Sequence, residues 1–201
     1  MKREVEILTL QQFEAAGGLA DGYAFQDFTC PLNKEVQEFL CDKAVHSMHL
    51  GASVTYLVYD KKTSALLGYF TLLLKPFSVA RDKISKSKCR MIERFADEEK
   101  KSYTAAVYLI AQIGKNYALP EKERISGDEL LSLAFEKLYC AKDYVGGKLV
   151  MVERDVKSPK LIHFFHFYNR WNFQSWNERY DAKDKVTYDQ MLCVLRSPAA
   201  A

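Results

Sequence analysis

Two short stretches of this chain carry residues whose types and spacing could do chemistry. The first is Gln112 to Asp128. Gly114 follows directly on an apolar run, YTAAVYLIAQIG, and Lys115, Lys122 and Arg124 occupy the polar loop beyond it. The loop leads into RISGDEL, where Ser126 and Glu129 have capping-box spacing: the serine hydroxyl accepts from the backbone N–H three residues on, and the glutamate carboxylate reaches back to the serine N–H. A helix that starts there offers backbone N–H groups and roughly half a positive charge to an anion, and nearby cations add to that field. Gly127 lets a ligand approach the backbone closely. A diphosphate suits such a place, although capping boxes with ordinary solvated lysines are common. The second stretch is FYNRWNF, in which Tyr168, a phenol with an ordinary pKa of about 10, is a proton donor. A seat for a phosphate-bearing carrier together with a proton donor points to acyl-group transfer.

The surrounding sequence predicts the elements that hold these residues. Residues 104–113 read as a buried strand, RISGDELLSLAFEKL as a capped helix, and GGKLVMVE as a second, apolar strand. A further helix opens with Ser158 as N-cap and Pro159 at its first position, and closes in FYNRWNF. Strand, helix, strand and helix with short joints form a parallel β-α-β crossover plus one more helix. Upstream, residues 4–9 read as a strand and Phe25 to Pro31 as a loop. LNKEVQEFLCDKAVHSM reads as a helix burying Leu32, Val36, Phe39, Leu40 and Ala44. SVTYLVY and LLGYFTLLL read as a hairpin, and Phe77 to Lys101 as a polar, partly helical segment. RWNFQSW and YDQMLCVL read as closing strands. The expected architecture is α/β (mixed α+β): a mixed, mostly antiparallel sheet with helices on both faces, in one domain over residues 1–197 with a frayed tail at 198–201.

These motifs, in this order, resemble the GNAT superfamily of N-acetyltransferases. That family has a fourth strand, a Q/R-x-x-G-x-G/A loop, a helix, a fifth strand splayed from the fourth, and a later helix that often ends F-Y-x-x-x-G-F. Here KERISG stands where the family has QGRGLG. Arg124 matches the basic residue and Gly127 the second glycine; Ile125 replaces the first glycine, and Asp128 adds a negative charge. FYNRWNF carries Asn172 in place of the glycine. LNKEVQEFLCDKAVHSMHLGASVTYLVYDKKTSALLGYFTLL resembles the N-terminal half of a subgroup that includes toxins acetylating aminoacyl-tRNA. The resemblance covers about residues 25–176. It implies a three-layer fold with a splayed parallel pair of strands, and acetyl-CoA as cosubstrate. It places the diphosphate on Lys122, Arg124, Ile125, Ser126, Gly127 and Asp128, with Lys115 nearby. It places the carbonyl oxygen at backbone N–H groups of Ile113 or Gly114, and gives Tyr168 the departing thiolate to protonate.

A general base is not evident. Glu93 is a candidate, in a charged stretch where salt pairing is the commoner role. A lysine amine, pKa about 10.4, needs a base before it attacks, whereas an α-amine near 8 is often already neutral; an α-amino acceptor fits better. The acceptor classes left open are a small molecule, a peptide or an aminoacyl-tRNA. An antitoxin protein is implied on the toxin reading, and a homodimer is one assembly left open. A non-catalytic module that keeps the fold and binds nucleic acid or protein is the rival.

The totals bound these readings. A chain of 201 residues, 48% hydrophobic and 27% charged, suits one substantial globular core. There is no apolar run long enough for a transmembrane helix, and MKREVEILTLQQF lacks the pattern of a signal peptide. Five scattered cysteines without a CxxC predict reduced thiols in a cytoplasmic protein. The pairs His46/His49 and His163/His166 offer no third ligand, so no metal is expected. The net charge of +3 is modest, but Lys75, Arg81, Lys83, Lys86, Lys88, Arg90 and Arg94 face only Asp82 and Glu93 within their segment. Such a run is either a solvated face or the footprint of a phosphate-rich partner.

Overall fold

The computed structural model describes residues 3–20, 24–157 and 162–196, with the side chains of 162–164 left aside. The expected N-cap at Ser158 and Pro159, the side chain of His163 and the tail at 198–201 lie outside the described residues.

Among the described residues, eight strands and six helices follow one another: β1 (Val5–Thr9), α1 (Leu10–Ala15), α2 (Lys34–Glu38), α3 (Ala44–His49), β2 (Val54–Asp60), β3 (Leu66–Ala80), α4 (Lys86–Ile92), β4 (Asp97–Glu99), β5 (Ser102–Lys115), α5 (Gly127–Val145), β6 (Leu149–Asp155), α6 (Ile162–Arg170), β7 (Gln174–Asp181) and β8 (Val186–Val194). The strands hydrogen-bond in the order β1-β2-β3-β5-β6-β8-β7, with β4 paired to β5. The sheet is mostly antiparallel. Its parallel pair, β5 with β6, is in register only at Tyr108↔Val150 and Leu109↔Met151, although β5 runs on to Lys115 and β6 to Asp155. The edge of β6 that β5 leaves open is not matched on its other side: β8 pairs with β6 along its whole length, from Leu149↔Val194 to Asp155↔Tyr188.

The chain divides into two compact units, residues 1–73 with 110–137, and residues 74–109 with 138–201. The core of the first gathers Leu10, Phe25, Phe28, Val36, Leu40, Ala44, Leu57 and Tyr69. Asn33 caps α2 by accepting from the Glu35 N–H at 3.1 Å, so the helix begins after Leu32, which stays 37% exposed instead of joining the stripe. Val36, Leu40 and Ala44 are buried as their spacing predicts, but a π-helical turn at Phe39–Lys43 separates α2 from α3. Next to that turn the Tyr69 hydroxyl donates to the Val36 carbonyl. Its ring packs edge-on to Phe28 and stacks on Phe39.

Two glycines let β3, β5 and α2 close together. A Cβ on Gly68 would stand 2.6 Å from the Gly114 carbonyl oxygen, and a Cβ on Gly114 would overlap Val36. The contact at Gly68 is with backbone, which cannot move aside.

In the second unit Leu149, Val150, Met151 and Val152 are all buried. Burial on both strand faces explains the unbroken apolar run. Two differences from the sequence-based expectations arise here. β3 continues through Pro76 to Ala80, with Phe77 and Val79 buried and Ser78 exposed, so the polar segment begins later than expected. β7 starts at Gln174 rather than Arg170, because the chain from Arg170 to Asn172 still closes α6. Near the far end of β6, Glu153 accepts from both Arg179 Nε (2.9 Å) and Nη2 (3.3 Å), from Lys75 and from Gln190. Burial alone would raise the pKa of this carboxyl; the Arg179 and Gln190 hydrogen bonds and the Lys75 charge outweigh it and hold it below the usual range.

Gly68→Ala is expected to lower stability by about 1–3 kcal/mol, as overpacking does, which calorimetry would read as a fall of several degrees in Tm. Gly17→Asn is the control: Gly17 has φ +84° with nothing within 4 Å of a Cβ, and asparagine accepts that conformation. Equal melting of Gly68→Ala and wild type would remove the close approach from the account of this fold.

Candidate active site

The loop that the sequence marks as a diphosphate seat is built by side chains turned back onto its own backbone. Asn116, 5% exposed, is its anchor. Its N–H donates to the Leu67 carbonyl (2.8 Å) and its amide nitrogen to the Leu66 carbonyl (3.1 Å). Its amide oxygen accepts from the N–H groups of Thr29 (3.2 Å) and Ala118 (3.0 Å). Sequence reasoning missed this residue; the signal was an asparagine directly after a strand-ending Gly-Lys, a position where a side-chain amide shapes a turn. Tyr117 follows, with the Lys115 ammonium and the Arg124 guanidinium each 5.1 Å from its ring centre.

Arg124 has a second task beside the one its place in the motif implies. Its Nε donates to the Leu119 carbonyl (2.8 Å) and its Nη2 to the Tyr117 carbonyl (3.0 Å). Two of its five N–H donors therefore staple the loop, and the rest remain for a ligand. Ile125, the residue in place of a family glycine, is 1% exposed and pins the loop into the core. The capping box forms as expected: Ser126 N–H donates to Glu129 Oε2 (2.9 Å), and Glu129 N–H to Ser126 Oγ (3.1 Å). The Ser126 N–H is thereby engaged by Glu129, which leaves the other amides of 125–128 for a ligand on the expected reading. Ser126, Gly127, Asp128 and Glu129 are exposed, as is Lys122 in a short 3₁₀ turn. Ile113 is half-buried, and Gly114 is buried against Val36. All these residues belong to the first unit.

Tyr168 and Glu93 belong to the second. The end of α6 is a Schellman turn. Asn172 takes φ 63°, its N–H donates to the Asn169 carbonyl (3.0 Å), and the Phe173 N–H reaches back to the Tyr168 carbonyl (3.1 Å). The apolar contact that accompanies this motif joins Tyr168 to Phe173, ring centres 5.5 Å apart at 68°. FYxxxNF is thus a backbone-termination signal as much as a chemical one: the left-handed asparagine folds Phe173 back onto the tyrosine ring. Tyr168 is 8% exposed, and desolvation pushes its pKa up to about 12. Its hydroxyl is therefore a firmly protonated donor at neutral pH.

Glu93 is exposed and accepts from the Tyr103 hydroxyl at 2.7 Å. That bond, with burial second, raises the pKa of Tyr103. Within the basic segment, Lys75 pairs with Glu153 and Arg81 with Glu98. Lys83, Lys86, Arg90 and Arg94 are exposed and make no ion pair with a described residue. The five cysteines are free thiols, of which Cys30, Cys89 and Cys193 are buried. No helix among the described residues is long and apolar enough to cross a membrane.

No protein-family model matches the sequence, and no curated protein is similar to it by sequence. Solved structures are similar over nearly the whole chain. AtaT complexed with acetyl-methionyl-tRNAfMet is 18% identical, with a TM-score of 0.60 over 92% of this chain and 94% of that one. A tyrosine-to-phenylalanine mutant of the AtaT toxin, bound to the C-terminus of the antitoxin AtaR and acetyl-CoA, is 15% identical with a TM-score of 0.58, covering 94% and 92%. A structure from Desulfovibrio desulfuricans assigned to the GNAT family of acetyltransferases is 14% identical with a TM-score of 0.52, covering 95% and 99%. At these identities the likeness carries the fold: the chain has the architecture shared by the AtaT toxin and the GNAT acetyltransferase structure.

Proposed function

We propose that this chain is an acetyl-CoA-dependent N-acetyltransferase that transfers the acetyl group directly to a primary amine, in the cytoplasm. The observation that carries the reading is the parallel β5–β6 pair held by only two register pairs, followed by a cation-bearing loop and the capped start of α5. Strands that stop pairing leave backbone N–H groups for a ligand, and an exposed helix start accepts phosphate. Acetyl-CoA would supply the activated acyl group. Gly127 and Asp128 at the start of α5, with Lys115, Lys122 and the remaining donors of Arg124, would hold its diphosphate against the opposing charge of Asp128. A backbone N–H at Ile113 or Gly114 would stabilise charge on the thioester oxygen. Tyr168 would give its proton to the departing sulfur. Glu93, with one oxygen committed to Tyr103, is assigned no proton, so the amine would arrive uncharged.

Among acceptors, the cations of the segment from Lys75 to Arg94 that lack ion pairs favour one bearing phosphate, such as an aminoacyl-tRNA. AtaT, of the same fold, is solved with acetylated methionyl-tRNA and with an antitoxin. An antitoxin partner for this chain belongs to the same reading.

Acetyl-CoA at a hundred times its Kd should stabilise the protein by about 2.7 kcal/mol, a rise of roughly 5–10 °C in Tm for a chain of this size. An unchanged melt with both acetyl-CoA and CoA would overturn the enzyme reading in favour of a non-catalytic module. Tyr168→Phe should lower kcat by about 10²–10⁴ with little change in acetyl-CoA affinity. Because the Tyr168 pKa lies near 12 in the folded protein and near 10 when unfolded, its burial contributes full stability below pH 10 and loses it between pH 10 and 12. The kcat profile should accordingly show no alkaline decline from this group below pH 10. Asn172→Gly should keep both fold and activity. Asn172→Val, forced into a left-handed conformation, should cost about 1–2 kcal/mol and depress kcat; a fully active valine variant would dissociate the turn from the tyrosine.

A further inference from the structure

The turn from Asn116 to Arg124, within the first unit, gathers two cations on one aromatic ring that no sequence motif marks. The Lys115 ammonium and the Arg124 guanidinium each lie 5.1 Å from the centre of the Tyr117 ring. Neither makes an ion pair with a described residue. Glu121 and Glu123 of the 3₁₀ turn are exposed and bond neither cation, Glu129 is engaged by the Ser126 N–H, and Asp128 is exposed at the start of α5. Like charges held on one ring repel each other, and an anion that reaches both relieves the repulsion.

The ring itself is held from several directions. The Tyr117 N–H donates to the Thr29 carbonyl (2.8 Å), and the Thr29 N–H donates to the Asn116 amide oxygen (3.2 Å), so the two segments are bonded both ways. The Tyr117 carbonyl accepts from Arg124 Nη2 (3.0 Å). The ring body packs against the core that contains Phe25, Phe28 and Cys30. Burial pushes the hydroxyl pKa up, the nearby Cys30 sulfur adds to the rise, and Arg124 opposes it. The phenol therefore stays neutral, and its faces keep the negative charge of the quadrupole that attracts cations. Lysine and arginine side chains lose much rotamer freedom when a ligand orders them. A fixed ring that gathers both beforehand removes part of that loss. The ring contacts consume no N–H group: the three ammonium donors of Lys115 and three of the five donors of Arg124 remain for a ligand.

We infer that Tyr117 is a positioning residue for the cosubstrate, holding Lys115 and Arg124 ready for the diphosphate of acetyl-CoA. The inference rests on the acetyltransferase reading and adds to it a residue that lies outside every motif of the chain. Two cations on one ring stand at most twice 5.1 Å apart, a span that the adjacent phosphates of a diphosphate bridge. Phosphate oxygens accept from several charged donors at once. The 3′-phosphate of the same cosubstrate is the other source of such charge, and the test separates the two.

Calorimetry with CoA and with dephospho-CoA, which keeps the diphosphate and lacks the 3′-phosphate, reads the binding. Tyr117→Leu, which keeps an apolar body without a π face, should weaken both ligands by about 10-fold, the worth of two cation–π contacts, and Tyr117→Phe should restore the wild-type affinity. Because leucine also changes the packing of a half-buried position, a second series leaves the shape nearly intact: Tyr117 is replaced by phenylalanine carrying successive ring fluorines. Fluorine withdraws negative charge from the ring face, so affinity should fall stepwise along the series, whereas a residue that only fills space gives a flat one. Melting without ligand checks that each variant is folded. A flat fluorine series, or unaltered affinity in folded Tyr117→Leu, overturns this inference alone. A loss confined to CoA, with dephospho-CoA unaffected, puts the cations on the 3′-phosphate and overturns the assignment to the diphosphate. A wild-type chain that binds neither ligand overturns the acetyltransferase reading and this inference with it.

Discussion

The parallel pairing of β5 with β6 is the constraint on which the rest of this structure depends. Parallel neighbours cannot be joined by a hairpin. The chain leaving β5 at Lys115 must cross over before re-entering at Leu149, and it does so through the Asn116 loop and α5. The crossover sets a helix start just past the end of a strand, which is where an anion finds backbone donors. β6 is buried on both faces at Leu149 to Val152. The join back to the strand is tight: Gly146 and Gly147 both have positive φ, and the Tyr108 hydroxyl donates to the Gly146 carbonyl while its ring lies where a Cβ on Gly147 would have to pass. Tyr108 thus fixes the returning chain from within the same strand that supplies the two register pairs.

Features that short stretches of chain decide by themselves were legible in the sequence. The Ser126–Glu129 box needs only its own four residues, and the Asn172 turn only FYNRWNF, and both formed. The apolar run Leu149–Val152 announced a strand, which the fold covers on both faces. The end of β3 was legible but misread: Phe77, Ser78 and Val79 alternate as a half-buried strand should, yet Lys75 and Pro76 before them resemble a break. Proline removes one N–H from a ladder without ending the strand when that position needs no donor. The loop-stapling contacts of Arg124 were not legible for a different reason. Its residue type allows a ligand or a carbonyl as partner, and only the folded loop brings the Tyr117 and Leu119 carbonyls within reach. The Glu153 cluster draws partners from Lys75, Arg179 and Gln190, so no local pattern announces it.

Burial would both support and limit the acid role proposed for Tyr168. A phenol near pKa 12 is a weaker acid than one in water, and its proton does not pass readily to a thiolate whose reference pKa is about 8.5. The same low-dielectric surroundings disfavour any anion, so a thiolate formed beside the ring has its own proton affinity raised by the same cause. The two shifts run in the same direction, so burial of both groups does not by itself widen the gap between donor and acceptor. On the proposed acetyl transfer, Tyr168 in this setting would stabilise the leaving sulfur first as a hydrogen-bond donor and then by transfer.

The carboxylates narrow the acceptor from the other side. Glu153 is held ionised by Arg179, Gln190 and Lys75, and a carboxylate with a lowered pKa and that many donors is a poor base. Asp189 is engaged by Arg154 and Ser175, and Glu93 by Tyr103. A lysine amine near pKa 10.4 would have to lose its proton to one of these groups, each already bonded to a donor. An α-amine near 8 presents an appreciable neutral fraction at physiological pH without help. If the proposed acetyl transfer holds, the side-chain pairing in the second unit favours an α-amino acceptor over a lysine, on grounds independent of the basic segment.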